Sequence, residues 1–340
     1  MDRVTSAMID LAEAAYDLDI GESDWLPRVI EAGLPALEHG LGVAGGFYTR
    51  PLAGGEVALR QLHVASCPEE FARRHAAALA TTAPDLLREH VRPGRAGTAS
   101  MDSKGDPAQL AHYTSHVKHC KDLLYMTAVD CKGSGVAIVA PLEEVTRLTY
   151  HDAQRWKMLA AHVDAGHRLR CGLSANKHVD EPCTDLPHNA EALLDPIGFE
   201  IKEAVGAAKE SDATKALRNA AIVVDRARGR MRKSNPDAAL RTWKALVRGR
   251  WSLVDWFDSD GRRFVLALPN SPRVGDPRGL TERESQVVAY AAIGESGKSI
   301  GHRLKLSTPR VSSLLHDAMR KLNVHTQAEL VEKMRSLGVL

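Results

Sequence analysis

Residues 280–338 read LTERESQVVAYAAIGESGKSIGHRLKLSTPRVSSLLHDAMRKLNVHTQAELVEKMRSLG, and four short helices can be drawn through them, each with its own start signal. Thr281 and Glu284 have capping-box spacing, in which each side chain satisfies a backbone N–H at the other's position. Apolar Val287, Val288, Ala291 and Ala292 follow, and Gly294 is placed to end that helix. A second helix fits about 297–304. Ser307 is placed to cap a third, with Pro309 tolerated in its first turn. Thr326 and Glu329 repeat the capping box for a fourth. On the third helix Val311, Leu315, Ala318 and Leu322 fall at helical spacing, which predicts a buried stripe. The opposite face shows Ser312, Ser313, His316 and Arg320. It is polar and cationic without a carboxylate, the character of a helix that lies against bases and phosphates.

Leu280-Thr281-x-Arg283-Glu284, Gly294-x-Ser296-x-Lys298-x-Ile300, Ser307 with Val311, and Lys321-Leu322-x-Val324 carry a resemblance to the DNA-binding domain of LuxR-type transcription regulators. The resemblance implies that the third helix enters the major groove and that the fourth makes a dimer contact. It implies double-stranded DNA as partner, a homodimer, and a contact with RNA polymerase. By position, Ser312, Ser313 and His316 match the family's base-contacting surface, and Lys298, Arg320 and Lys321 its phosphate-contacting surface. Thr308 and Arg310 are assigned to the same DNA-binding set. The family usually has a cationic or amide residue where Ser312 stands, a His where Leu314 stands and an acid where Ser299 stands. Serine reads bases less selectively than arginine or asparagine.

Residues 292–299, AIGESGKS, satisfy a loose phosphate-loop pattern. A phosphate loop follows a buried strand and opens a long helix, whereas here a capped helix precedes it and about two turns follow.

A chain of 340 residues predicts two or three domains. With 45 Lys and Arg against 43 Asp and Glu, the net charge is +2, so any nucleic-acid surface is local. The five cysteines, Cys67, Cys120, Cys131, Cys171 and Cys183, are odd in number and form no CxxC pair. The start has no signal-peptide core, and no run reaches membrane-spanning length. Free thiols in a reducing cytoplasm are the simple reading.

The predicted organisation is multi-domain. Residues 1–173 are expected to form an α+β, GAF-like sensor or dimerisation domain. It has helices at 5–18 and 23–38 (capped by Ser23), strands at 40–50 and 56–66, and an alanine-rich helix broken at Pro84. A loop at 92–100, a helix at 108–120, strands at 123–130 and 135–142, and a long helix at 149–173 complete it. Residues 174–189 read as a linker. Residues 190–270 are expected to form a small α+β, PAS-like domain. It has strands at 190–195 and 199–203, helices at 212–231 and 236–247 (capped by Asn235), and a hairpin turned at Asp258-Ser-Asp-Gly261. Residues 271–279 are a tether, and 280–340 the all-α four-helix domain. The GAF-like and PAS-like labels are fold analogies only.

Four residues on one predicted helix, His112, His116, His119 and Cys120, are metal-ligand types, and haem or zinc is conceivable there. The plainer reading is a polar helix face, because ligand pairs normally come with a partner pair; no cofactor is expected. Cys120 and Cys131 flank a strand and read as a redox pair or as buried, inert thiols; the second is favoured because free cysteine is usually a small core hydrophobe. Lys209 to Arg250 carries twelve Lys or Arg against four acids. It reads either as an auxiliary DNA surface or, preferably, as a face balanced by acids elsewhere. Trp243, Trp251 and Trp256 read as core rather than pocket.

The functional expectation is a one-component transcription regulator that responds to a small-molecule or protein signal. The alternative is an adaptor or ligand-sensing protein whose last domain does not read DNA. No GxSxG, HExxH or dinucleotide fingerprint supports an enzyme. The first 150 residues lack the clustered strand-end acids of a phosphate-accepting receiver.

Overall fold

The computed structural model describes residues 3–49, 57–66, 70–82, 95–103, 107–114, 119–129, 134–176, 185–242, 251–269, 280, 282–292, 294–322 and 324–336. They divide into two compact units, Met1–Ser174 with Arg230–Leu240, and Ala175–Gly229 with Arg241–Leu340.

In the first unit, α1 (Arg3–Ala15) and α2 (Glu22–Leu37) form an antiparallel-type helical pair whose apolar sides are buried through Leu11, Trp25, Val29 and Ile30. The residue preceding α2 is Gly21, and no side chain caps the helix there, so the expected Ser23 cap is not made. Trp25 is wholly buried, and its indole N–H donates to the Ala15 carbonyl at 3.1 Å, satisfying an acceptor at the end of α1.

Five strands follow: β1 (Val43–Thr49), β2 (Ala58–Ala65), β3 (Arg95–Thr98), β4 (Asp122–Val129) and β5 (Ser134–Leu142). They form an antiparallel sheet in the order β2-β1-β5-β4-β3. The two expected hairpins are joined edge to edge through β1 and β5, with Phe47 opposite Val136. Residues 50–56 and 130–133, at their turns, lie outside the described residues.

The expected loop at 92–100 is corrected. It contains β3, paired from Arg95 opposite Thr127 to Thr98 opposite Leu124, and then a helical turn, Ala99–Asp102. Four residues are too few to show an alternating pattern, and what holds this edge comes from elsewhere in the chain. The wholly buried Asp122 carboxylate accepts from Ser100 N (3.0 Å), Ser100 Oγ (2.5 Å), Leu123 N (2.8 Å) and Thr146 N (3.0 Å). Four donors are what make burial of that charge tolerable.

Helices α3 (Glu70–Thr81), α4 (Pro107–Thr114) and α5 (Tyr150–Asn176) complete the unit; the expected break at Pro84 lies outside the described residues. α5 is buried around most of its circumference, including two histidines. His162 shares a 3.1 Å hydrogen bond with the Tyr16 hydroxyl, and His167 contacts the Ser134 carbonyl at 3.1 Å. A Cβ at Gly166 would collide with the Ala15 carbonyl, so glycine permits the close approach of α1. Residues 230–240 belong to this unit. Arg232 pairs with Asp10 and Glu13, and Arg155 with Asp237 at 2.5 Å. The Asn235 side chain accepts from Ala238 N, the cap its sequence predicts for the helix Pro236–Thr242.

In the second unit, β6 (Ala192–Leu194), β7 (Ile201–Ala204), β8 (Trp251–Phe257) and β9 (Arg263–Pro269) form an antiparallel sheet in the order β7-β6-β9-β8. Leu217 and Ala221 of α6 (Ser211–Arg226) pack into its core with Leu194, Leu253 and Val265. Asp258 Oδ1 accepts from the N–H groups of Asp260 and Arg262, and Gly261 adopts φ +74°, which makes the expected hairpin turn. The helix expected through residue 231 stops at Arg226. A wide turn follows at Ala227–Met231, bent at Gly229 (φ −89°, ψ −109°).

Trp251 is core, and its indole N–H donates to Glu191 at 2.7 Å. Trp256 is half-buried beside Phe264, and Trp243 lies outside the described residues. In the basic stretch, Arg228 pairs with Asp255 and Arg232 with Asp10 and Glu13, acids on other elements. Among the described residues no helix is long and apolar enough to cross a membrane.

Candidate nucleic-acid interface

The last four helices are α7 (Glu282–Ala292), α8 (Gly297–Leu304), α9 (Thr308–Leu322) and α10 (Gln327–Ser336). Each starts or stops where its local chemistry requires. Gly294 takes φ +89° and Glu295 N donates to the Tyr290 carbonyl, closing α7. Ser296 caps α8, its hydroxyl accepting from Ser299 N. Ser307 Oγ accepts from Arg310 N at 3.4 Å at the start of α9. For α10 the reciprocal box is present: Glu329 N donates to Thr326 Oγ1 at 3.1 Å, and Thr326 N to Glu329 Oε2 at 3.3 Å. His325 N donates to the same carboxylate oxygen at 2.7 Å. Led by that bond, the backbone donors hold the Glu329 carboxyl below its usual value of 4.5. Thr281 lies outside the described residues.

One small core holds the four together: Val287, Val288 and Ala291 of α7, Ile300 of α8, Val311, Leu314, Ala318 and Leu322 of α9, and Leu330 and Met334 of α10. The buried stripe of α9 therefore includes Leu314, and Leu315 is only partly buried. Both positions satisfy helical spacing, so the sequence pattern alone does not separate them. The bend between α8 and α9 is tight. Leu306 N donates to the Gly301 carbonyl at 2.8 Å, and a Cβ at Gly301 would stand 2.7 Å from the Leu306 carbonyl oxygen.

The outer side of α9 presents Thr308, Arg310, Ser312, Ser313 and His316, all exposed, and Lys298 is exposed in the first turn of α8. The N-terminus of α8 lies beside that of α9, since a Cβ at Gly297 would be 3.9 Å from Thr308 Cγ2. These six expected DNA-binding residues thus share one rim of the domain.

Arg320 and Lys321 are placed differently. Arg320 is exposed and pairs with Asp317 at 3.2 Å, so a carboxylate does border this face, contrary to the sequence reading. Lys321 reaches across to α7, where its ammonium donates to both oxygens of the buried Glu284 carboxylate, at 2.8 and 2.6 Å. That pair fastens α9 to α7. Arg303, for which the helical pattern signals no role, bonds Glu295 through Nε at 2.9 Å and lies over the Tyr290 ring. Ser299, where the family usually has an acid, donates to Glu295 at 2.8 Å.

The histidine and cysteine candidates for a metal are not brought together by the described residues. His116 and the His112 side chain lie outside them, and His119 is exposed in left-handed backbone (φ 64°). Cys120 is buried, its thiol donating to the Asp122 carbonyl at 3.0 Å, and burial pushes that thiol up to about 11, away from the thiolate a metal requires. Cys131, its expected redox partner, also lies outside the described residues. No group of three or more His, Cys, Asp or Glu able to hold a metal occurs among those described.

Residues 278–334 match the family described as bacterial regulatory proteins, luxR family. The chain is also similar to the uncharacterized response regulatory protein YgeK of Escherichia coli (strain K12), with 35% identity over 69 residues. Those residues are 20% of this chain and 47% of the relative, so the chain spans about half the length of the curated relative it matches. With four short helices on one core, a tight bend between the second and third, and a polar outer face on the third, residues 278–334 are a helix-turn-helix domain of the kind described as bacterial regulatory proteins, luxR family.

Proposed function

We propose that this protein is a dimeric, one-component, sequence-specific transcription regulator. The observation that carries the reading is the outer face of α9. Thr308, Arg310, Ser312, Ser313 and His316 are polar or cationic and exposed, on a helix whose inner side is locked into the core. Such a helix enters the major groove with its N-terminal half toward the bases. Arg310 and Lys298 meet phosphates and fix register, while Ser312, Ser313 and His316 face base edges. Arg320 supplies a further phosphate contact from the far end of the helix. Two copies, related by a dimer contact through α10, read half-sites about one helical turn apart. Contact with RNA polymerase then decides the transcriptional outcome.

The first unit acts as a GAF-like sensor or dimerisation domain, and the four-stranded sheet with α6 as a PAS-like one. What supports this is layout: antiparallel hairpins joined edge to edge, helices packed on the sheet, and the long α5 leaving the first unit. The signal is a small molecule or a partner protein.

A footprint of the full-length protein on the region upstream of its own coding sequence tests the proposal. Protection of two half-sites about ten base pairs apart is expected. Absence of protection there, together with equal affinity for all duplexes, favours the adaptor reading instead.

A further inference from the structure

We infer that Lys305, at the bend between α8 and α9, is a phosphate-contacting residue; the inference rests on the DNA-binding reading above. Lys305 adopts left-handed backbone, with φ 54° and ψ 48°. A lysine Cβ is strained in that region, and glycine would take it without penalty. The bend itself demands the conformation, because the N–H groups of Lys305 and of Leu306 both converge on the Gly301 carbonyl. Nothing in the bend demands a lysine. A residue held in an unfavourable backbone region where a simpler one would serve points to a task for its side chain.

The surroundings say which task. Lys305 is exposed, between Leu304 and Leu306, which pack against the core. It lies two residues before the Ser307 cap, in the bend between α8, the helix that crosses the DNA backbone in this geometry, and α9, the helix that enters the groove. The cations of this domain also sort by partner. Arg303 is held by Glu295, Lys321 by Glu284 and Arg320 by Asp317. Lys298, Lys305 and Arg310 have no carboxylate partner among the described residues, and all three stand around the first turn of α9; Arg283, at the start of α7, also lacks one but donates to the Gln286 side chain. A cluster of unneutralised cations at the groove-entering end of a recognition helix fits DNA phosphates.

The test uses the full-length protein and a mixed-sequence duplex of about 30 base pairs, since phosphate contacts are independent of sequence. Binding is measured by fluorescence anisotropy across a salt series for wild type, Lys305→Gln, Lys305→Gly and Lys305→Arg, and urea unfolding is measured for each. Loss of one phosphate contact lowers the slope of log affinity against log salt by about 0.9. We expect that change in the Gln and Gly variants, with affinity at low salt down roughly three- to tenfold, and near wild-type behaviour in the Arg variant. Lys305→Gly unfolds at a urea concentration no lower than wild type, so affinity and stability part company. An unchanged slope in Lys305→Gln overturns the inference and leaves the DNA-binding reading intact. So does joint loss of stability and affinity in Lys305→Gly, which would make the side chain structural. If the wild type itself shows no salt-dependent binding, the DNA-binding reading falls and takes this one with it.

Discussion

Asp122 in the five-stranded sheet and Glu284 in the helix-turn-helix domain are both buried carboxylates, yet they are neutralised by different means. Asp122 accepts four hydrogen bonds from Ser100, Leu123 and Thr146, three of them from backbone N–H groups that line up only when β3, β4 and the segment before α5 are assembled. Glu284 holds a long, movable cation, Lys321, drawn from a helix whose other cations face outward. In the first region the charge pins irregular backbone in place. In the second it decides which cation belongs to the fold and which are left for a partner. Buried polar partners therefore mark where this molecule is fastened, and on the proposed reading the exposed cations around the first turn of α9 are the ones left for DNA.

The largest expected effect comes from removing the Asp122 carboxylate. Asp122→Ala leaves three N–H groups and a hydroxyl without their acceptor, and we expect a loss of about 3–5 kcal/mol from the first unit. All five tryptophans precede residue 257, so fluorescence during urea unfolding follows the two sheets and is blind to the last four helices. An early fluorescence transition with late loss of the remaining helical circular dichroism is the expected pattern; an unshifted fluorescence midpoint would remove Asp122 from the fastening role.

Next comes Lys321→Met, which takes the ammonium away from the buried Glu284 carboxylate and should cost the helix-turn-helix domain about 2–3 kcal/mol. The double variant Lys321→Met with Glu284→Leu should recover most of it, because an apolar pair of similar size needs no charge partner. If Lys321→Met instead folds as firmly as wild type and loses only DNA affinity, Lys321 belongs with the phosphate contacts, as the family resemblance implies, and the division between fastened and working cations fails. Smaller effects are expected on the outer face. Arg310→Ala should weaken binding to specific and random duplexes alike, by about 1 kcal/mol, and Arg320→Ala by less, since Asp317 already shares its charge. Ser313→Ala should change preference at one base position by about 1 kcal/mol or less, with random-duplex affinity unaltered. Competition binding with single-position operator variants separates the two kinds of change.

How much of this was legible in the sequence follows from where the information sits. In the last four helices it is local. Ser296, Ser307, Thr326 with Glu329, and Gly294 act within three or four residues of themselves, so the sequence places every helix to within a residue or two. The exposed face of α9 was legible for the same reason. The Lys321 to Glu284 pair spans 37 residues, and nothing in helical periodicity shows that this cation turns inward while Arg310 does not. The left-handed bend at Lys305 was equally silent, because lysine carries no turn signal of the kind glycine does. In the first unit the hairpins were visible as apolar runs separated by glycine-containing turns, but β3 was not. Its four residues, RAGT, owe their place to β4 and to Asp122, contacts that no short window contains.

The smallest effect tests the local end of that contrast. Glu329 is exposed, and its carboxyl is held below 4.5 chiefly by the backbone N–H of His325 and also by that of Thr326. A carboxyl whose folded value is depressed adds stability that is present above its unfolded value and is lost as pH falls through the folded one. The start of α10 should therefore loosen only below about pH 4.5, while the core of the domain stays formed. Amide hydrogen exchange at His325 and Thr326, followed from about pH 6 down to about pH 3 and corrected for intrinsic exchange, reads this directly. Glu329→Gln keeps an oxygen acceptor and removes the charge, so it should abolish the acid-dependent step and leave neutral-pH folding nearly as it was. If the two amides keep their protection to the bottom of that range, or the Gln variant titrates like wild type, then the capping box seen in the sequence is not what sets this boundary. The helix start would then be held by the inward packing of Leu330 and Met334, and even the most local signal in the chain would turn out to act through the core.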